Sequence, residues 1–270
     1  MRLVPVRAAR AAAVALVVTA AGACARAPIA TPTPAPARAV TYSSGEAVVA
    51  AMHDRYAGRW YRTLTFRQKT SRLLPNGTWD VQTWYEALAL PGRLRIDFDP
   101  VSAGNGVLYA RDSQFVAANG RIVRAEPGIN DLLLLGFDVY ANAPARTDSL
   151  LRRQGFDLAR VHQDSLDGRR MIVVGALAGE SRRKQFWVDA ERLVFMRLLE
   201  PNPRDSMRVQ DIRFTNYPQR GEAWLSPRVE IYDGGKLVFS EDYSDMRTDV
   251  PLDESIFDPT PWRNPKNWVK

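Results

Sequence analysis

The side chains able to do chemistry are few and scattered. His53 and His162 are the only histidines of the 270 residues, and Cys24 is the only cysteine. A zinc site draws nitrogen, sulfur or carboxylate ligands at short, repeated spacings. Neither histidine has a cysteine or a second histidine nearby, so no metal site is expected. No G-x-S-x-G elbow, phosphate-binding glycine loop or dinucleotide fingerprint occurs. Asp97 and Asp99 come nearest to an acid/base pair, because strand alternation puts both carboxylates on one face. An exposed strand face carries alternating acids without any reaction, and that reading is preferred. Asn130, Asn142 and Asp205 read as caps and turn residues. No catalytic residue and no cofactor are expected.

Apolar side chains inside alternating segments are in better supply. Trp60, Phe66, Trp84, Phe98, Phe115, Phe186, Trp187, Phe195, Phe214 and Phe239 all fall in strand-like runs. A packed core accounts for most of them. A single, strongly curved sheet also encloses a cavity that helices fill only in part. Such a cavity suits an acyl chain, whose burial is worth about 0.8 kcal/mol per methylene.

The elements that must position these groups start from residues 79–99, WDVQTWYEALALPGRLRIDFD. Two alternating runs flank Pro91-Gly92, where proline fixes φ and glycine accepts the positive φ of a turn. In the second run Leu94, Ile96 and Phe98 share one face, and Arg93, Arg95, Asp97 and Asp99 the other. In the first, Trp84, Glu86 and Leu88 oppose Tyr85, Ala87 and Ala89, so neither face is cleanly polar. Both faces should therefore touch something, as in a curved sheet with a fillable concave side.

Upstream, Ser43 or Ser44 caps a helix over residues 46–56 with an apolar stripe of Val48, Val49, Met52 and Tyr56. A strand over 59–71 follows, with Trp60, Leu64 and Phe66 on one face. Downstream, strands are expected at 106–110, 114–118 and 121–125, and again at 157–165, 169–177, 182–189, 193–200, 206–216, 226–232 and 236–243. Asn119-Gly120, Asp167-Gly168 and Gly234-Gly235 supply the tight turns. Between the two sets, Asn130 caps a short helix containing Leu132, Leu133, Leu134 and Leu135, and 147–154 reads as a second. Four consecutive leucines wrap a helix on all sides, so it is either a core helix or a plug over the concave face. Ile256, Phe257 and Trp262 pin the closing loop to the body. The expected fold is mainly β with a few short helices, a strongly curved antiparallel sheet forming a half-open barrel. It is one domain over residues 41–270.

The start of the chain carries a targeting signal. Arg2, Arg7 and Arg10 precede an apolar stretch too short to span a bilayer, so residues 1–23 read as a signal peptide. Ala21-Gly22-Ala23 before Cys24 resembles a lipobox, in which the cysteine is acylated and becomes the membrane anchor; ordinary cleavage near Ala23 or Ala25 is the alternative. Residues 24–40 form a Pro/Ala-rich tether that holds a domain off a surface. Removing the three leader arginines takes the formal charge from +7 to +4. With acids interspersed throughout, this is a solvated surface and no nucleic-acid stripe. A monomer is expected.

In this order, several motifs resemble the LolA/LolB-like periplasmic lipoprotein carriers: Phe66-Arg67-Gln68; Pro91, Leu94 and Arg95; Trp187-Val188-Asp189 with Arg192-Leu193-Val194; and the ending Val250-Pro251-Leu252-Asp253-Glu254-Ser255-Ile256-Phe257. The resemblance implies a half-open barrel with an apolar cavity for lipoprotein acyl chains, no catalysis, and a place in the periplasm or at the outer membrane. A lipidated Cys24 tilts it toward an acceptor, whose exposed apolar loop has only residues 132–135 as a candidate. The cavity residues expected are Trp60, Leu64, Phe66, Trp84, Leu94, Ile96, Phe98, Leu132, Leu133 and Leu135. Carrier, acceptor or chaperone is the first reading. An envelope regulatory module that senses lipid or protein partners is the second, and an enzyme acting through Asp97 and Asp99 the third.

Overall fold

A computed structural model describes residues 41–262. The expected signal peptide and tether, with Cys24, lie outside the described residues.

The first half of the chain runs α1 (Gly45–Tyr56), β1 (Thr63–Leu73), β2 (Trp79–Ala89), β3 (Arg93–Phe98), β4 (Gly106–Ala110), β5 (Ser113–Ala118) and β6 (Arg121–Pro127). Two helices, α2 (Asp131–Gly136) and α3 (Pro144–Arg153), separate it from the second half. That half runs β7 (Val161–Leu166), β8 (Arg169–Val174), β9 (Gln185–Asp189), β10 (Phe195–Asn202) and β11 (Asp205–Thr215). A short hairpin, β12 (Gln219–Arg220) and β13 (Ala223–Trp224), precedes β14 (Arg228–Asp233) and β15 (Lys236–Thr248). Single 3-10 turns follow α2 (Asp138–Tyr140) and β15 (Glu254–Phe257).

Thirteen of these strands form one sheet in the order β6-β5-β4-β3-β2-β1-β15-β14-β11-β10-β9-β8-β7, with every pairing antiparallel. The sheet does not close, and the result is the expected mainly β, half-open barrel with three short helices. Its two halves are joined at the centre, where β1 pairs with β15. The helix starts follow the sequence. Ser44 accepts from the Ala47 N–H at 3.4 Å, and Asn130 accepts from the Leu132 and Leu133 N–H groups at 2.9 and 3.0 Å.

Register decides what faces the concave side. Leu64 lies opposite Leu88, which lies opposite Leu94; Phe66 lies opposite Glu86, which lies opposite Ile96. The first of these rows packs with Val48, Val49 and Met52 of α1 and Leu133, Leu134 and Leu135 of α2 in the main core. Each such buried side chain is worth about 1.5–3 kcal/mol. Gly136 ends α2 where a Cβ would sit 2.9 Å from the Phe214 ring, so the missing side chain lets the helix reach the sheet.

The convex side of β2 and β3 is covered too. Ala87, Ala89, Leu108 and Ala110 lie under Ile256, Phe257 and Trp262, which hold the closing segment down as expected. This cover corrects the reading of Asp97 as an exposed strand-face acid. Arg95 and Asp97 are 0% and 1% exposed, while Asp99 is exposed. The Arg95 guanidinium donates to Asp97 at 2.6 and 2.9 Å and to the Ile256 carbonyl at 2.9 Å, and lies 4.1 Å from the Trp262 ring centre. The two aspartates therefore do not form an acid/base pair: one is locked under the closing segment and the other is in solvent.

Candidate functional site

The concave face places the ten expected cavity residues in three settings. Trp60, Leu64 and Leu135 are solid core. Trp60 comes before β1, stacks on Tyr140 at 3.8 Å and meets Tyr56 edge-on at 4.8 Å. It packs α1 onto the 3-10 turn after α2 and is no cavity wall.

Phe66, Leu94, Ile96, Leu132 and Leu133 do converge. They line a cavity of about 60 Å³ between β1, β2, β3, β15 and α2, together with Phe137 and Phe214. Ligand pockets run to about 300–1,000 Å³. The space left beside α2 is therefore well below that of an ordinary ligand pocket. Leu133, Leu134 and Leu135 are buried and Leu132 half-buried, so the leucine run is not an exposed loop.

Trp84 and Phe98 form the third setting. They lie opposite one another across β2 and β3 with ring centres 4.8 Å apart, and Phe239 of β15 is 6.3 Å from Trp84. All three are half-buried. This aromatic strip extends the concave face beyond the helix-packed core.

Polar residues between these settings escaped the sequence reading. Gln68, Glu86, Glu241 and Tyr243 lie side by side on β2, β1 and β15: Gln68 is opposite Tyr243, and Glu241 is opposite Thr70. The Tyr243 hydroxyl donates to Glu241 at 2.5 Å, and its ring centre is 4.3 Å from that of Phe66. Gln68 donates to Thr70 at 2.8 Å and leaves its buried side-chain carbonyl without a partner. Glu86 is 6% exposed and makes no hydrogen bond or ion pair among the described residues. Burial, and then the neighbouring Glu241 charge, push Glu86 well above the usual carboxylate range. Burial raises Glu241 to about 7 against the hydrogen bond from Tyr243. Burial and the neighbouring carboxylate thus favour the protonated form of Glu86, which can donate a hydrogen bond into the cavity. Two signals pointed here: Gln68 shares a strand face with Phe66, and Glu86 interrupts the apolar face of Trp84 and Leu88.

A larger cleft, about 620 Å³, opens at the rim between the Pro91-Gly92 turn, the Arg111-Asp112 turn, α2, α3 and the closing 3-10 turn. Leu133 and Asn130 line both spaces. No sequence pattern pointed to this cleft, because five separate segments build it.

Among the described residues, no group of three or more His, Cys, Asp or Glu is arranged to hold a metal ion. None of the described helices is long and apolar enough to cross a membrane.

No family model and no curated protein matches the sequence. Solved structures do match the fold. A DUF1329 family protein from Desulfovibrio piger superposes with a TM-score of 0.52 at 14% identity, over 81% of this chain and 98% of that one. A protein described as an outer membrane lipoprotein-sorting domain, from Vibrio parahaemolyticus, gives 0.53 at 13% identity, over 79% and 96%. A LolA superfamily protein from Nitrosomonas europaea gives 0.49 at 14% identity, over 78% and 97%. At such identities the likeness is one of architecture. The chain shares the fold of the Desulfovibrio and Vibrio proteins.

Proposed function

We propose that this is an envelope protein that binds the acyl chain of a lipid or lipoprotein on its concave face, as a carrier, acceptor or chaperone in outer-membrane lipoprotein sorting. The observation that carries the reading is the leucine helix α2 seated on a small cavity, beside a partly exposed aromatic strip of Trp84, Phe98 and Phe239. The lipoprotein-sorting description of the Vibrio neighbour supports it.

In this reading α2 is a movable plug. Leu132 and Leu133 give way, the chain lies along Phe66, Leu94 and Ile96, and Trp84 and Phe98 receive its far end. The protonated form of Glu86, which burial favours, donates to a carbonyl of the acyl linkage. No bond is made or broken. Residues 1–23 export the chain, an acylated Cys24 anchors it, and residues 24–40 space the domain from the membrane.

Native mass spectrometry of the full chain, purified from its membrane fraction, tests the proposal. Adducts of lipid mass are expected on the wild type and should be reduced by Trp84→Ala with Phe98→Ala, substitutions at half-buried positions. Absence of adducts, together with no binding of a fluorescent fatty acid, would reject it. The N-terminal peptide should carry an acyl mass on Cys24; a bare cysteine or a start at Ala25 would remove the anchor from the account.

A further inference from the structure

The rim cleft contains a buried carboxyl group that no cation answers. Three arginines line it, and each is already matched: Arg93 pairs with Glu254, Arg111 with Asp258 at 2.8 Å, and Arg146 with Asp112 at 2.6 Å. Arg153, from outside the lining, adds a second contact to Asp112 at 3.2 Å. The fourth carboxylate of the lining, Asp138, is 4% exposed and has no cation beside it. One of its oxygens accepts from the Gly92 N–H at 2.9 Å; the other has no partner among the described residues. Burying such a group without a counter-charge is costly, and a ligand that supplies one recovers that cost.

The rest of the lining says what else the ligand carries. Leu133, Leu134, Leu150 and Phe257 form an apolar wall, and Asn142 stands half-buried at the cleft with no side-chain hydrogen bond. A volume of about 620 Å³ lies within the range of small-molecule sites. We propose that the cleft binds an organic ammonium group attached to a short apolar body, with Asp138 as its counter-ion and the leucines as its wall. This site is separate from the acyl-chain face, although Leu133 and Asn130 stand between the two.

Calorimetric titration of the full-length protein at pH 8 with n-octylamine and n-octanol tests the proposal. The amine should bind about ten-fold or more tighter than the alcohol, because only the amine brings a charge. Asp138→Asn should abolish the difference while leaving the alcohol unchanged. Asn142→Trp, which fills the cleft from a half-buried position, should weaken the amine, and it decides the matter if Asp138→Asn fails to fold. Equal affinities for the two probes, a preference that survives Asp138→Asn, or amine binding unaffected by Asn142→Trp would overturn the proposal. Fatty-acid binding by the concave face is measured separately, so loss of either activity leaves the other readable.

Discussion

The hairpin of β2 and β3 buries ionisable groups on both of its faces, and the two faces treat them in opposite ways. On the convex side Arg95 and Asp97 neutralise each other, and the Ile256 carbonyl and Trp262 ring take up what remains of the guanidinium. On the concave side Glu86 has a second carboxylate for a neighbour and no cation. Charges buried for structure come with partners, because an unpartnered one is penalised by desolvation. The convex cluster is finished. The concave one keeps hydrogen-bonding capacity that the empty protein does not use, in a cavity walled by phenylalanine and leucine. The proposed acyl-chain site draws on that unused capacity.

The largest effect should come from breaking the finished cluster. Arg95→Met leaves Asp97 buried and unpaired, and should cost about 3–5 kcal/mol in urea denaturation. Adding Asp97→Leu should recover most of it. A loss under about 1 kcal/mol for the single variant would mean that the closing segment is not held through this pair.

The concave acids should behave in the opposite sense. Their folded-state pKa values are raised, so the folded protein holds protons that the unfolded chain releases. Stability therefore falls as pH rises from the ordinary carboxylate range, about 4.3, toward about 7 for Glu241, and then levels off. Asp138, raised to about 7 by burial, adds to the same slope. Glu86→Gln should flatten the profile and stabilise the protein by about 1–2 kcal/mol at pH 8, with little change at pH 5. Destabilisation by Glu86→Gln at pH 8 would show that the ionised form is held by a partner after all.

The smallest stability effect is expected on the aromatic strip. Phe98 is only half-buried, so Phe98→Ala should cost less than the roughly 3–5 kcal/mol of a fully packed phenylalanine. Acyl-chain binding should weaken several-fold at the same time. A full core penalty with unchanged binding would move Phe98 from the binding face into the structural core.

Local pattern carried most of the fold into the sequence. Alternation and Asn-Gly, Asp-Gly or Gly-Gly turns located every long strand, and caps at Ser44 and Asn130 located two helices. The start of α3 at Pro144 was legible as proline in a first helical turn, and was passed over. The β12–β13 hairpin, two residues a side, is too short for any periodicity to register. The site was legible only where a face could be followed along one strand. Alternation put Arg95 and Asp97 on one face without saying what covers it, since the cover arrives with Ile256 and Trp262. Glu86 and Glu241 approach each other only because β1 lies between β2 and β15, a long-range pairing that no local signal encodes.

Hydrogen exchange across α2 tests the central claim most directly. The backbone amides of residues 131–136 should be compared, in the empty protein and with palmitoyl-lysophospholipid, against those of β1 and β2. A plug should exchange faster than those strands when empty and change its protection when the lipid enters. Protection equal to that of the strands, and unmoved by lipid, would make α2 a permanent part of the core and contradict an acyl chain on the concave face.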